Sequence, residues 1–309
     1  MKATAAAHAN IALVKYWGKR DEALLLPEAG SLSVALDKLL TTTTVELGDF
    51  AADSFTLDGH PEDPCRARAL LDAAGIRKRA RIASGNDFPT AAGLASSSSG
   101  FAALAVAACA ASGLKKSADE LSALARIGSG SASRSVPGGW AVWEDAFARQ
   151  VFAPSHWDLR FCIAVCAAGP KQVGSRDGMR ATRETSPYHA AFIAQCRRDL
   201  PDALKLLAAR DLPGLGALAE RNALRMHADA LAADPPLLYW QPATVACLLA
   251  LLELRASGVA AWATIDAGPH SVAICASSDA GAVERRLRSV PGVTEVVVCA
   301  PAGAARVLP

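Results

Sequence analysis

Residues 86–108 read NDFPTAAGLASSSSGFAALAVAA, and their two halves have different physics. The first, Pro89-Thr90-Ala91-Ala92-Gly93-Leu94-Ala95-Ser96-Ser97-Ser98-Ser99-Gly100, is small, polar and poor in bulky side chains. From Phe101 the chain turns Ala-rich and apolar, which predicts a buried helix. A Gly/Ser loop opening a helix leaves several backbone N–H groups unpaired and aimed at one point. The helix dipole adds partial positive charge there, so the junction suits an anion, above all a phosphate. The hydroxyls of Ser96, Ser97, Ser98 and Ser99 can add donors or hold a phosphate-bound Mg2+. The Gly-Lys-Ser/Thr of a P-loop is missing, and so is the dinucleotide fingerprint. A flexible Ser-rich linker is the plain alternative. Linkers are normally polar on both sides, however, and this one runs directly into an apolar helix.

Working outward, 309 residues suffice for two domains with substantial cores. The net charge is +2, with acids and bases interspersed, which points to neither a nucleic-acid nor a membrane surface. No stretch offers the roughly 18 to 20 continuous strongly apolar residues of a membrane span. Met1-Lys2-Ala3-Thr4 leads straight into ordered-looking sequence without a signal-peptide pattern. None of the eight cysteines belongs to a Cys-x-x-Cys pair, and most lie in apolar runs. That usage fits small hydrophobes in a reducing compartment rather than a disulfide frame or a zinc site. The expectation is a soluble cytoplasmic protein with no metal held by its own side chains.

Upstream, residues 3–14 (ATAAAHANIALV) read as a strand that exits through Lys15-Tyr16-Trp17-Gly18-Lys19-Arg20. Two aromatics among three cations suit either a surface hairpin with snorkelling lysines or a mouth gripping phosphate oxygens. In the second case Lys15, Lys19 and the Tyr16 hydroxyl would do the gripping. Residues 31–36 follow Glu28-Ala29-Gly30, and their Ser31/Ser33 alternation suits a strand edge beside a polar site. Residues 41–47, 55–57 and 79–84 read as strands, and 64–75 as a helix stopped at Gly75. Ser117-Ala118-Asp119-Glu120 is a capping box. GSGSASRS (128–135) reads as a second small-residue loop carrying Arg134, and such an arginine is ordinarily solvated.

Downstream come an apolar strand at 159–166, a basic loop at 169–180 (GPKQVGSRDGMR), helices from 185 to 232 and another at 242–256. The end reads as strand, tight turn (Asp266-Ala267-Gly268-Pro269-His270) and strand. A helix at 280–288 with Asp279 as N-cap and a strand at 293–299 close it. Strands and helices mix without strict alternation, which predicts an α+β fold.

PTAAGLASSSSG (89–100) resembles the phosphate-binding loop of the GHMP kinase superfamily, and its Thr-Ala-Ala-Gly-Leu-Ala-Ser-Ser core resembles diphosphomevalonate decarboxylases in particular. ANIALVKYWGKR (9–20), GSGSASRSxxGG (128–139), residues 174–187 and DAGP (266–269) resemble further motifs of that family, in order. The chain departs from it at Glu28-Ala29-Gly30, where an Asn-containing turn is usual, at Arg176, where a small hydroxyl residue is usual, and at His270, where Asn is usual; it is also shorter than many members. A carboxylate pointing into an anion site would repel the ligand, so Glu28 is expected to face solvent.

The resemblance implies a two-domain GHMP kinase-like fold with the active site in the cleft between domains. A ribosomal S5 domain 2-like ATP-binding domain would span 1–170, and a ferredoxin-like α/β sandwich 171–309. It implies transfer of the ATP γ-phosphoryl group to the tertiary 3-hydroxyl of mevalonate 5-diphosphate. Loss of phosphate and CO2 then leaves isopentenyl diphosphate. By the same resemblance Asp266 contacts the hydroxyl and Arg134 the carboxylate, with Lys15 as a third catalytic group. Tyr16, Lys19 and Ser175 would bind the diphosphate, joined by Arg176 on charge grounds. Ala12, Ser129, Ser131 and Met179 would line the substrate pocket. Gly93, Leu94, Ala95, Ser96, Ser97, Ser98 and Lys171 would meet ATP and its Mg2+. Taken alone, Asp266 reads as an ordinary turn aspartate. A paralogue acting on mevalonate 5-phosphate, a mevalonate 3-kinase and a non-catalytic GHMP scaffold are the alternatives. Retained Asp266, Lys15 and Arg134 favour decarboxylation, by a homodimer.

Overall fold

The computed structural model describes residues 1–88, 96–167 and 172–309. After β1 (Lys2–Val14), a hairpin of β2 (Lys19–Asp21) and β3 (Leu26–Pro27) leads into the long β4 (Ser31–Gly48). β5 (Ser54–Leu57), β6 (His60–Glu62), α1 (Cys65–Ala73) and β7 (Arg79–Asn86) follow. Then come α2 (Ser96–Ser112), α3 (Ala118–Gly128), the single turn α4 (Ala132–Ser135), β8 (Trp140–Trp143) and β9 (Ala148–Phe152). The second half contributes β10 (Leu159–Val165), α5 (Ser175–Thr185), α6 (His189–Ala209), α7 (Leu212–Leu231) and α8 (Pro242–Ala256). β11 (Ala261–Thr264), β12 (Ser271–Ala276), α9 (Ala280–Arg288), β13 (Glu295–Cys299) and β14 (Arg306–Val307) close the chain.

Two main sheets result. The first runs β14-β1-β4-β7-β5-β6, with β8 on β4 and β9 on β8, and the second runs β11-β12-β10-β13. From Leu39 onward β4 alternates buried and half-buried residues, as a strand with one face on a core must. That core is α2, buried without a break over 101–109, packed with Ala5 and Ala7 of β1. A helix apolar all round has to be enclosed, and alanines on both partners let it approach closely. α3 crosses so near that a Cβ on Gly128 would lie 1.9 Å from the Phe101 ring. Burying Phe101 is worth about 1.5–3 kcal/mol, and a side chain at 128 would displace it.

β1 changes register against β4 between His8 and Asn10 and again between Ala12 and Val14. Such irregularities re-aim side chains. The stretch they re-aim, Asn10 to Lys15, is buried throughout; up to Val14 it stays paired with β4, and the Ala12 carbonyl also accepts from Thr264 of the second sheet.

Several expectations need correction. The strand at 159–166 belongs to the second sheet, so a division after residue 170 would part β10 from its neighbours. The sheets divide the chain between β9 and β10, and β14 returns to pair with β1. The basic loop holding Ser175 and Arg176 is the start of helix α5, whose buried face is Gly178, Met179 and Thr182. Arg134 sits in the helical turn α4 rather than in a loop. The Asp279 side chain makes no capping bond to α9. The Ser117–Glu120 capping box is present as expected, and Gly75 ends α1 with φ +77°.

Candidate active site

A cavity of about 600 Å³ opens where β1, α2, α4, α5 and the β11–β12 turn converge. Its reacting centre is built around Lys15. The ammonium, 2% exposed, donates to the Ala12 carbonyl (2.7 Å), Thr264 Oγ1 (2.7 Å) and Asp266 Oδ1 (2.6 Å). Three donors meet three acceptors, so Lys15 positions Asp266 instead of gripping a phosphate. Thr264 donates on to the Ala12 carbonyl at 3.0 Å, which ties the end of β11 to β1. The Lys15 backbone N–H donates to Asn222 Oδ1 (2.8 Å), and Asn222 Nδ2 donates to Asp199 (2.8 Å), which anchors the motif to α6 and α7. Burial pushes the Lys15 ammonium below its ordinary range despite the carboxylate, and Arg134 adds to the depression.

Asp266 sits at the strand end in a tight turn closed by the Gly268 N–H on its carbonyl, with its side chain 36% exposed. His227 lies behind that turn, and burial, then the Lys15 charge, lowers it to about 4, so it is neutral. Arg134 is 3% exposed. Its Nη1 donates to Ser31 Oγ (2.5 Å) and its Nε to Asn10 Oδ1 (3.2 Å). Asn10 in turn donates to Ser135 Oγ and the Ser131 carbonyl. Burial lowers Arg134 to about 10, with Asp266 opposing the fall, so the guanidinium stays charged at neutral pH.

Three further cations line the same cavity. Lys19 (3% exposed) pairs with Glu22 at 2.6 Å. Arg66 reaches in from α1, bonded to the Gly128 carbonyl with its guanidinium 4.5 Å from the Phe101 ring centre. Burial, then the nearby Arg176, lowers Arg66 to about 10, which records two cations facing one space. Arg176 is exposed on the first turn of α5. Ser129, Ser131, Ser175, Met179 and Tyr16 line it too. The Tyr16 hydroxyl is buried without a hydrogen bond among the described residues. Burial raises its pKa, so it stays a neutral donor. A Cβ on Gly130 would stand 2.7 Å from that hydroxyl, so the loop there must be bare.

Ala12, Lys15, Tyr16, Lys19, Ser129, Ser131, Arg134, Ser175, Arg176, Met179 and Asp266 thus line one cavity with Ser96 and Ser97. Ser98 is buried within α2 and does not line the cavity. Gly93, Leu94, Ala95 and Lys171 lie outside the described residues. Glu28 does not simply face solvent: its Oε2 lies 3.2 Å from His189 Nε2. His270 is buried, and its Nδ1 accepts the Cys166 backbone N–H at 3.1 Å, so it does not line the cavity. Asn10, Arg66, Asn222 and Thr264 were not picked out from sequence, whereas Ser31 was read as a strand edge beside a polar site and holds Arg134. Asn10 stood inside the quoted 9–20 motif and Thr264 two residues before Asp266; Arg66 carried no local signal.

A serine-rich helix start, a lysine-held carboxylate, a buried arginine and three further cations line one cavity of a chain with the GHMP kinase fold. Residues 7–151 match the family model of the diphosphomevalonate decarboxylase-like N-terminal domain, and residues 161–300 match that of the mevalonate 5-diphosphate decarboxylase C-terminal domain. The chain belongs to the diphosphomevalonate decarboxylase family. It is 37% identical to the human diphosphomevalonate decarboxylase over 306 residues, which cover 87% of this chain and 75% of the human one. The mevalonate diphosphate decarboxylase of Staphylococcus aureus superposes with a TM-score of 0.94 at 35% identity, covering 100% of this chain and 98% of that one. A solved complex of MDDEF with MVAPP, AMPPCP and magnesium gives 0.94 at 36% identity, covering 100% and 99%.

Proposed function

We propose that this chain carries out ATP-dependent decarboxylation of mevalonate 5-diphosphate to isopentenyl diphosphate, with ADP, phosphate and CO2 as the other products. The observation that carries this reading is the Lys15–Asp266 pair at 2.6 Å, set beside buried Arg134 in one cavity with Lys19, Arg66 and Arg176. ATP with Mg2+ supplies the phosphoryl group that turns a tertiary hydroxyl into a leaving group. Asp266 accepts or orients the hydroxyl proton while Lys15, 2.6 Å away, holds the carboxylate in place. Arg134 holds the substrate carboxylate until it leaves as CO2. The bond electrons from that carboxylate fill the carbon centre vacated by phosphate.

The residues present fit the nucleotide. Ser96 and Ser97 open the 17-residue helix α2 at the cavity, where backbone N–H groups and the helix dipole favour phosphate. Among the described residues no cluster of three or more acidic, His or Cys side chains could hold a metal. Mg2+ would therefore arrive on ATP oxygens with serine hydroxyls beside it. Three further cations in the cavity suit a diphosphate better than a monophosphate, which would leave positive charge crowded and unpaired.

We further infer a cytoplasmic homodimer. Support comes from cysteine usage and from the exposed row Val245, Leu249 and Leu252 on α8, which would be covered by the same face of a second copy. No helix among the described residues is long and apolar enough to cross a membrane. The test of activity incubates purified protein with ATP, Mg2+ and, separately, mevalonate 5-diphosphate, mevalonate 5-phosphate or mevalonate. Isopentenyl diphosphate from the first supports the reading. A 3-phosphorylated product without CO2 would make the chain a kinase.

A further inference from the structure

His189 opens helix α6 beside the hairpin that carries Lys19, and both of its ring nitrogens meet carboxylates. Nδ1 lies 2.8 Å from Asp229 Oδ2 on α7, and Nε2 lies 3.2 Å from Glu28 Oε2 in the turn before β4. A neutral imidazole has one N–H and can serve only one of them; the imidazolium serves both. Asp229 is fully buried and Glu28 partly so, which makes an uncompensated pair of negative charges costly. The contact stands over Gly18: a Cβ there would fall 2.9 Å from Glu28 Oε2 and 3.2 Å from His189 Nε2, and its φ is +146°. The Glu28 N–H donates to the Gly18 carbonyl at 3.1 Å, and Lys19 pairs with Pro27 across the hairpin. The cluster therefore ties the residue before Lys19 to the helical layer through Glu28.

We propose that protonated His189, held between Asp229 and Glu28, is a positioning residue that fixes the hairpin bearing Lys19 against the anionic end of the substrate. The proposal rests on the reading of Lys19 as a substrate-anion contact. It also gives Glu28 a purpose: the carboxylate that would repel an anion is turned away and neutralised by the histidine. Other charged groups nearby do not compete for the ring. Arg197 of α6 donates to the Glu28 carbonyl, and Arg225 of α7 faces Asp199. Burial alone would push His189 down, but the bonds to Asp229 and Glu28 outweigh it and hold it above the ordinary value of 6.5. A raised pKa means the clamp is complete below 6.5 and is lost as pH rises through the folded value.

Two readouts test this on the full chain. First, 13Cε1-histidine NMR follows His189, assigned by its loss in His189→Gln. The midpoint should lie above 6.5 and fall in Glu28→Gln. A midpoint at or below 6.5, or one indifferent to Glu28→Gln, overturns the clamp. This reading needs no substrate, so it fails or holds independently of the proposed reaction. Second, Glu28→Gln should raise the substrate KM about five-fold near pH 6 with kcat within about two-fold, and the ratio to wild type should shrink toward one as pH rises through the His189 midpoint found by NMR. Glu28→Asp, which keeps the charge, should restore the pH dependence. A KM ratio that stays constant with pH, or a loss confined to kcat, overturns the positioning role.

Discussion

Lys15 and Lys19 stand four residues apart in one motif and are equally buried, yet the structure employs them differently. Lys15 has every donor fixed by protein acceptors on β1 and β11, with Asn222 holding its backbone. Among the described residues Lys19 has one partner, the half-exposed Glu22, which on the proposed reading a ligand anion replaces. The contrast extends to the arginines: Arg134 is enclosed by Asn10 and Ser31, whereas Arg176 is exposed on α5. On the proposed reading the reacting end is thus preorganised, and preorganised charges act on the transition state without reorganisation cost. The anion end is adjustable, and adjustable charges contribute mainly to binding.

If that division holds, mutations should sort by which kinetic constant they move. The largest effect belongs to Asp266→Asn, expected to cut kcat by about 10² to 10⁴ with little change in KM. Steady-state kinetics check it, and a KM effect larger than the kcat effect would erase the distinction between the two ends. Arg134→Gln comes next, because on the proposed reading it removes a charge that binds and orients the reacting carboxylate. Loss of a charge-assisted bond worth about 1.5–3 kcal/mol should lower kcat/KM by about ten- to a hundred-fold, shared between both constants. Arg176→Gln should raise KM about ten-fold and leave kcat nearly unchanged, as measured by substrate titration at saturating ATP. Glu22→Gln, which frees Lys19 from an exposed partner, should move KM by less than about two-fold. A ten-fold change there would mean that Glu22 itself takes part in recognition.

The parts of this design that were legible in sequence are those encoded locally. The Ser-rich start of α2, the capping box before α3, and the strand–turn–strand at Asp266 all follow from short-range rules. So did the clustering of Lys15, Tyr16 and Lys19. Arg134 read as a loop arginine because small residues dominate around it, yet those serines form one helical turn that aims it inward. α5 was hidden by Gly178, which looks like a loop residue and is in fact needed where Tyr239 and Trp17 crowd the helix. The remaining misses are long-range contacts. Asn222 meets Lys15 across 207 positions, Thr264 across 249, and Glu28 meets His189 across 161. Nothing local could announce them. The second-sheet membership of β10 is likewise a pairing decision made with β12 and β13, far along the chain.

The most direct measurement is a single-turnover rapid-quench experiment on the wild-type protein, counting ADP and CO2 from mevalonate 5-diphosphate in the same samples. A fixed Asp266–Lys15 pair beside a carboxylate-binding Arg134 predicts equal final amounts of ADP and CO2, with CO2 never ahead of ADP. Three further cations in the cavity predict that kcat/KM on the diphosphate exceeds that on the monophosphate by at least about ten-fold. ADP formed without CO2, or equal efficiency on the monophosphate, would contradict the account.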